Sequence, residues 1–162
     1  MSLSLVFAPY SLVIQRSLIT SCDRRVVRFD GNEVTGTVEY SALGTPVIRG
    51  SEEKHLWTVE AFLALDQWRT IQGLQRLQTV QEDARQPSGI VLIDGLHEYI
   101  DPVARSRAIA PGASESPVVG GGVAYFAQFE VRLGAPTATP VKNTTYPWKA
   151  TWQMAELGRI AP

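Results

Sequence analysis

The chain has 162 residues, with 15 Lys and Arg against 16 Asp and Glu, a net charge of −1, 44% hydrophobic and 19% charged residues. That size is typical of one domain and that composition supports a packed core, so a disordered or polyelectrolyte chain is excluded and a single domain over 1–162 is expected. Near-neutrality without a concentration of either sign excludes the basic stripe of a dedicated nucleic-acid binder.

The N-terminal stretch is mildly apolar, but Ser2 and Ser4 interrupt it and its first positive charge is Arg16, unlike a secretory signal. No window nears the roughly 18 apolar residues that span a bilayer, so a soluble protein without a membrane partner is expected. Cys22 is the single cysteine, which leaves stability to burial and hydrogen bonding. Asn143-Thr144-Thr145 matches the glycosylation pattern, which carries no weight without a secretory signal.

Period-two alternation between Gly, Pro, Asp and Asn punctuation predicts a mainly β protein with antiparallel pairing. Residues 24–29, the turn Asp30-Gly31-Asn32 and residues 34–40 read as one hairpin. A long strand follows over 55–63, with His55, Trp57, Val59, Ala61 and Leu63 on its apolar face.

From Leu65 or Asp66 to Gln81 the chain predicts its one helix, with Asp66 as N-cap. Leu65, Trp68, Ile71, Leu74, Leu77 and Val80 recur strictly every third residue, and each step falls about 60° short of a full turn. The stripe therefore winds around the helix, which either ends early or is buried on more than one side: part of it facing another subunit is one reading, ordinary packing onto its own sheet with a fraying last turn the other. Gly73 near the middle weakens the helix and would admit close backbone contact.

Residues 90–93, Asp94-Gly95 and residues 96–100 read as a second hairpin, since Asp-Gly suits a two-residue type I′ turn. Two irregular Pro/Gly-rich segments are expected at about 101–122 and 134–147. Between them 123–133 alternates for eleven residues, roughly 36 Å of strand, enough to span a whole barrel wall or reach a neighbour. Residues 148–154 form the last predicted strand, where Trp148 and Trp152 share a face and make an aromatic row with Tyr146.

No motif declares a chemistry. Cys22, His55 and His97 supply the residue types of a Cys–His pair, but no spacing brings them together, and one Cys with two distant His makes no zinc pattern. The acid pairs Glu52-Glu53, Glu82-Asp83 and Glu98 with Asp101 sit beside predicted turns or helix ends, where solvated carboxylates are usual. Gly120-Gly121-Gly122 precedes a strand instead of a helix and no Gly-Lys-Ser/Thr follows, so it is no phosphate loop. No catalytic, cofactor or metal site is therefore expected. Trp68, Ile71, Leu74, Trp148 and Trp152 are the candidates for a subunit interface, because aromatic residues anchor such surfaces.

The segment 44–50 (Gly-Thr-Pro-Val-Ile-Arg-Gly), the strand 55–63, the helix from Asp66 and 88–95 (Ser-Gly-Ile-Val-Leu-Ile-Asp-Gly) together resemble tailed-bacteriophage tail proteins, most of all the distal tail or baseplate-hub ring proteins and their tail-tube relatives. The resemblance covers about residues 44 to 100. It implies an antiparallel β-barrel or sandwich with one flanking helix, tail-tube-like, closing as a hexameric ring with other tail proteins of tube, hub or baseplate. It also implies passage of DNA through a lumen without specific binding, and a place in the virion after assembly in the host cytoplasm. The alternatives are a neck or tail-completion protein, and a small β-barrel enzyme or ligand-binding protein whose cavity is lined by Trp57 and Tyr125 with Cys22 or His97 as its polar group.

Overall fold

The computed structural model describes residues 1–27, 39–40, 46–47, 54–85, 89–101, 109–111, 113, 115–118 and 120–159. In chain order these form β1 (Ser2–Phe7), β2 (Tyr10–Gln15), one 3-10 turn (Arg16–Leu18), β3 (Ile19–Val27), β4 (Glu39–Tyr40), β5 (Pro46–Val47), β6 (Lys54–Leu63), α1 (Leu65–Asp83), β7 (Val91–Asp101), β8 (Ser116–Pro117), β9 (Val123–Leu133), β10 (Thr137–Pro140) and β11 (Trp148–Arg159). The fold is mainly β with one flanking helix, as its alternation requires. Seven strands run in the order β2-β1-β7-β9-β11-β6-β3, with β8 added on β9 and β10 on β11, all antiparallel. The sheet does not close by backbone pairing; β4 and β5 form a separate two-stranded ladder.

Alternation decides which side of the sheet is core. On β6 the residues His55, Trp57, Val59, Ala61 and Leu63 are all buried, while their neighbours are half-buried. Phe129, Val131 and Leu133 of β9, Ala150, Trp152 and Met154 of β11, and Leu3, Leu5, Leu12 and Ile14 of the β1–β2 hairpin complete the same layer. Each large side chain buried there contributes about 1.5–3 kcal/mol of transfer free energy.

α1 begins one residue before the predicted Asp66 N-cap. Ala64 is the N-cap; its N–H is satisfied by Gln67 Oε1 at 2.9 Å, and Asp66 falls in the first turn, where a carboxylate complements the helix dipole. The helix buries Ile71, Leu74 and Gln78, at i, i+3 and i+7, against β2, β6, β9 and β11. The winding stripe is thus only partly used, and Leu65 and Val80 at its ends are exposed. Gln78 is the residue the apolar pattern missed. Its amide acts as a strand surrogate, donating to Leu133 O and accepting from Leu133 N, both at 2.7 Å. At Gly73 the close approach is made by the ring of Tyr10 and not by backbone as expected; its Cε1 would lie 2.5 Å from any Cβ.

Two sequence expectations need correction. Residues 91–101 are one strand, not a hairpin, and Asp94-Gly95 begins a bulge that breaks the register on β9 between Ile93↔Gln128 and Glu98↔Phe126. The N-terminal hairpin β1–β2 went unread, although Leu3 and Leu5 against Leu12 and Ile14 carry the period. The turn at 30–32, Glu52-Glu53, and residues 44, 45 and 48–50 of the resembling segment lie outside the described residues. β9 spans Val123–Leu133 as read, and the three preceding glycines take φ of 93°, 104° and 87°, backbone that only glycine adopts without strain.

Candidate functional site

Three strands stand between β7 and β3 in the sheet order, and four steps of about 4.8 Å would hold them roughly 19 Å apart in a flat sheet. Instead they touch. His97 Nε2 lies 2.9 Å from Cys22 O, and Arg24 Nη2 donates to Glu98 O at 3.0 Å. The sheet is therefore rolled, and its two walls meet in a seam closed by side chains instead of a backbone ladder. The bulge makes this possible. Before it, β7 pairs with β1 through Val91 to Asp94; beyond it, that edge of β7 has left β1 and faces β3. Gly95 is required at the departure point, since a Cβ there would sit 2.5 Å from Ser2 O.

Asp94 organises the seam. Its side chain is fully buried and accepts four hydrogen bonds. Oδ1 takes the backbone N–H of Leu96 at 3.0 Å and of His97 at 3.1 Å, which shapes the bulge; Oδ2 takes Trp57 Nε1 at 2.9 Å and His97 Nδ1 at 3.0 Å. Burial alone would push Asp94 up. The bonds from His97 and Trp57, the charge of His97 and the Leu96 N–H outweigh it, and the carboxyl is held below the usual range.

A second histidine–carboxylate pair stands beside the first. His55 donates its backbone N–H to Glu156 Oε2 at 2.9 Å, and its Nδ1 lies 2.7 Å from the same oxygen. Its ring is surrounded by Trp57, Tyr99 and Phe129, with centroids 5.7, 5.6 and 5.4 Å away. For Glu156 too, burial would raise the pKa, and the side-chain and backbone bonds of His55, its charge and that of Lys54 bring it below its ordinary value. Trp57 stands between the two pairs, hydrogen-bonded to Asp94 and with its ring packed against that of His55. Arg24 Nη1 is buried with no hydrogen-bond partner.

All three residues of the expected Cys–His types lie here, in an arrangement unsuited to that chemistry, with His55 tied to Glu156. His97 faces the carbonyl of Cys22, not its sulfur. Burial first, then the charges of Asp94 and Asp23, push the Cys22 thiol up to about 12, far from the lowered values of nucleophilic thiols. Trp57 and Tyr125, the expected cavity lining, are packed core residues. A separate cleft of about 330 Å³ opens on the outside of the seam, lined by Arg16, Ile19, Thr20, Ser21, Cys22, Leu96 and His97. No group of three metal-ligating side chains occurs among the described residues.

The five interface candidates divide. Ile71, Leu74 and Trp152 are buried in the chain's own core, which removes them from any surface of the folded subunit. Trp68 and Trp148 lie partly open beside the start of α1 and stack on each other, centroids 5.9 Å apart and planes inclined by 25°. No helix is long and apolar enough to cross a membrane among the described residues. No protein family, no curated protein and no solved structure matches this chain.

Proposed function

We propose that the chain is a structural subunit of a phage tail, forming a homo-oligomeric ring at the distal tail or baseplate hub that continues the tail tube, with function in ring closure and stacking and none in catalysis. The observation that carries the reading is the outer edge of β2, which has no strand partner among the described residues. Exposed Val13, exposed Leu65 and the Trp68–Trp148 stack lie around it, with Gln67 Nε2 reaching Val13 O at 3.3 Å. An edge without a strand partner, capped by Gln67 at one carbonyl and flanked by apolar side chains, is a template for another chain, and a head-to-tail contact whose rotation closes makes a ring. The segment resemblance over 44–100 supports the same reading through its order of strand, helix and strand, although its hairpin at 90–100 is replaced by one bulged strand. The near-neutral charge suits a conduit that does not hold DNA. A neck or tail-completion position would use the same edge.

Light scattering of the untagged protein over a range of concentrations tests the reading. A closed ring, most simply of six copies, is the expected species. A monomer throughout, together with tails on which antibody to this chain never binds, rejects it. The cleft beside the seam favours a second reading, a small-ligand-binding protein, which predicts the monomer.

A further inference from the structure

The seam joins two edges that make no backbone ladder with each other, so whatever holds β3 to the second half of β7 is held by side chains. Two pins do this. Arg24 donates to Glu98 O and is a permanent cation. His97 is the other, and its ring lies between two acceptors: the Asp94 carboxylate, which Nδ1 meets at 3.0 Å, and the Cys22 carbonyl, which Nε2 meets at 2.9 Å. Neither acceptor can donate. Both contacts are hydrogen bonds only when the ring carries a proton on each nitrogen; a neutral ring keeps one and turns a lone pair toward the other oxygen.

We propose that the β3–β7 seam is a proton-dependent latch, closed by the imidazolium form of His97 and loosened when that ring loses its second proton. The neutral ring keeps Nδ1–H on Asp94, the stronger acceptor, and releases Cys22 O, so β3 is the wall that moves. The groups facing His97 leave it as the one that switches. On β7 these are Asp94, which stays a carboxylate, and exposed Glu98. On β3 they are Cys22, which stays a thiol, with Asp23 and the fixed cation Arg24. On the preceding turn Arg16 lines the same cleft. β6 presents Trp57 to Asp94, and beyond that ring His55 is tied to Glu156 away from the seam. Loosening widens the cleft at Thr20 to Cys22 and frees an edge of β3, surfaces a ligand or neighbouring strand can use. The device does not depend on the tail reading.

The test follows two signals of the whole protein from pH 5 to 9. Nitrogen-15 shifts of the His97 ring report whether one or both nitrogens are protonated, and amide hydrogen exchange of β3, corrected for its intrinsic pH dependence, reports closure of the seam. We expect β3 protection to fall about tenfold or more, the factor for losing one charge-assisted hydrogen bond, along the same pH curve as the ring signal. His97→Gln, with one amide donor and no titration, is expected to remove the pH dependence. If that variant does not fold, the coincidence of the two wild-type curves decides alone. A ring with one protonated nitrogen throughout, or β3 protection that stays flat while the ring deprotonates, overturns the proposal.

Discussion

Replacing Asp94 by Asn isolates the charge and geometry of the seam with almost no change of volume. The amide oxygen of Asn can still take the N–H groups of Leu96 and His97, so the bulge is conserved, but its NH2 then faces Trp57 Nε1 and His97 Nδ1, two donors that need an acceptor. Hydrogen bonds to a charged group are worth about 1.5–3 kcal/mol each, so losing two at a fully buried carboxylate costs about 3–6 kcal/mol. For a chain of this length that corresponds to a fall in Tm of roughly 6–24 °C. Urea unfolding followed by tryptophan fluorescence and far-UV circular dichroism measures it, with an unchanged slope showing that the two-state comparison holds. Trp57→Phe supplies the control, because it keeps an aromatic ring and removes one of the two stranded donors. In that background Asp94→Asn is expected to cost less by about 1–2 kcal/mol, a direct coupling energy. A loss below about 1 kcal/mol in the wild-type background, or strict additivity with Trp57→Phe, would refute the assignment of Asp94 as organiser of the seam.

Because the folded pKa values of Asp94 and Glu156 are depressed, their contribution is complete above the ordinary carboxylate range and is lost as pH falls through the folded values; stability measured from pH 6 to pH 2 is expected to drop on that limb, less steeply in Glu156→Gln. Gln78→Ala leaves the Leu133 N–H and C=O buried without partners and is expected to destabilise by about 2–4 kcal/mol in chemical unfolding, against a few tenths for an exposed Gln→Ala elsewhere on α1. Gly73→Ala raises helix propensity by up to ~1 kcal/mol yet is expected to lower Tm, because the new methyl meets the Tyr10 ring; Tyr10→Ala should restore the gain in the double variant. With a thiol pKa near 12, Cys22 is expected to react with iodoacetamide at pH 8 on the order of a thousandfold more slowly than in the urea-unfolded chain.

The parts of this fold that were legible in the sequence are those where one element settles its own burial. β6 and β9 alternate because each lays one face on the core, and the helix lies where its Pro-free run of Gln, Leu and Arg ends the alternation. The site was not legible for a specific reason. Asp-Gly before an alternating run is the signal of a tight hairpin, and it rests on a short carboxylate that accepts the N–H groups two and three residues on. Asp94 does accept them, from Leu96 and His97, but the type I′ turn expected at Asp94-Gly95 is not formed. What turns the same chemistry into a bulge is long-range. β1 occupies the edge of residues 91–94, and β9 runs past the bulge to take up 98–101 again, so the chain has a partner on both sides and continues instead of reversing. Neither partner is visible within the dipeptide. Once the strand continues, His97 is carried across the roll to Cys22, 75 residues away in sequence, and no spacing rule connects those two positions. The same logic separates the aromatic candidates: Trp152 pairs with Val59 in the middle of the sheet and is sealed, whereas Trp148 pairs with Leu63 and Pro140 at the strand end and, stacked on Trp68, stays partly open. Four residues along one strand face thus pass from core to rim, and the rim residue is the one left partly open.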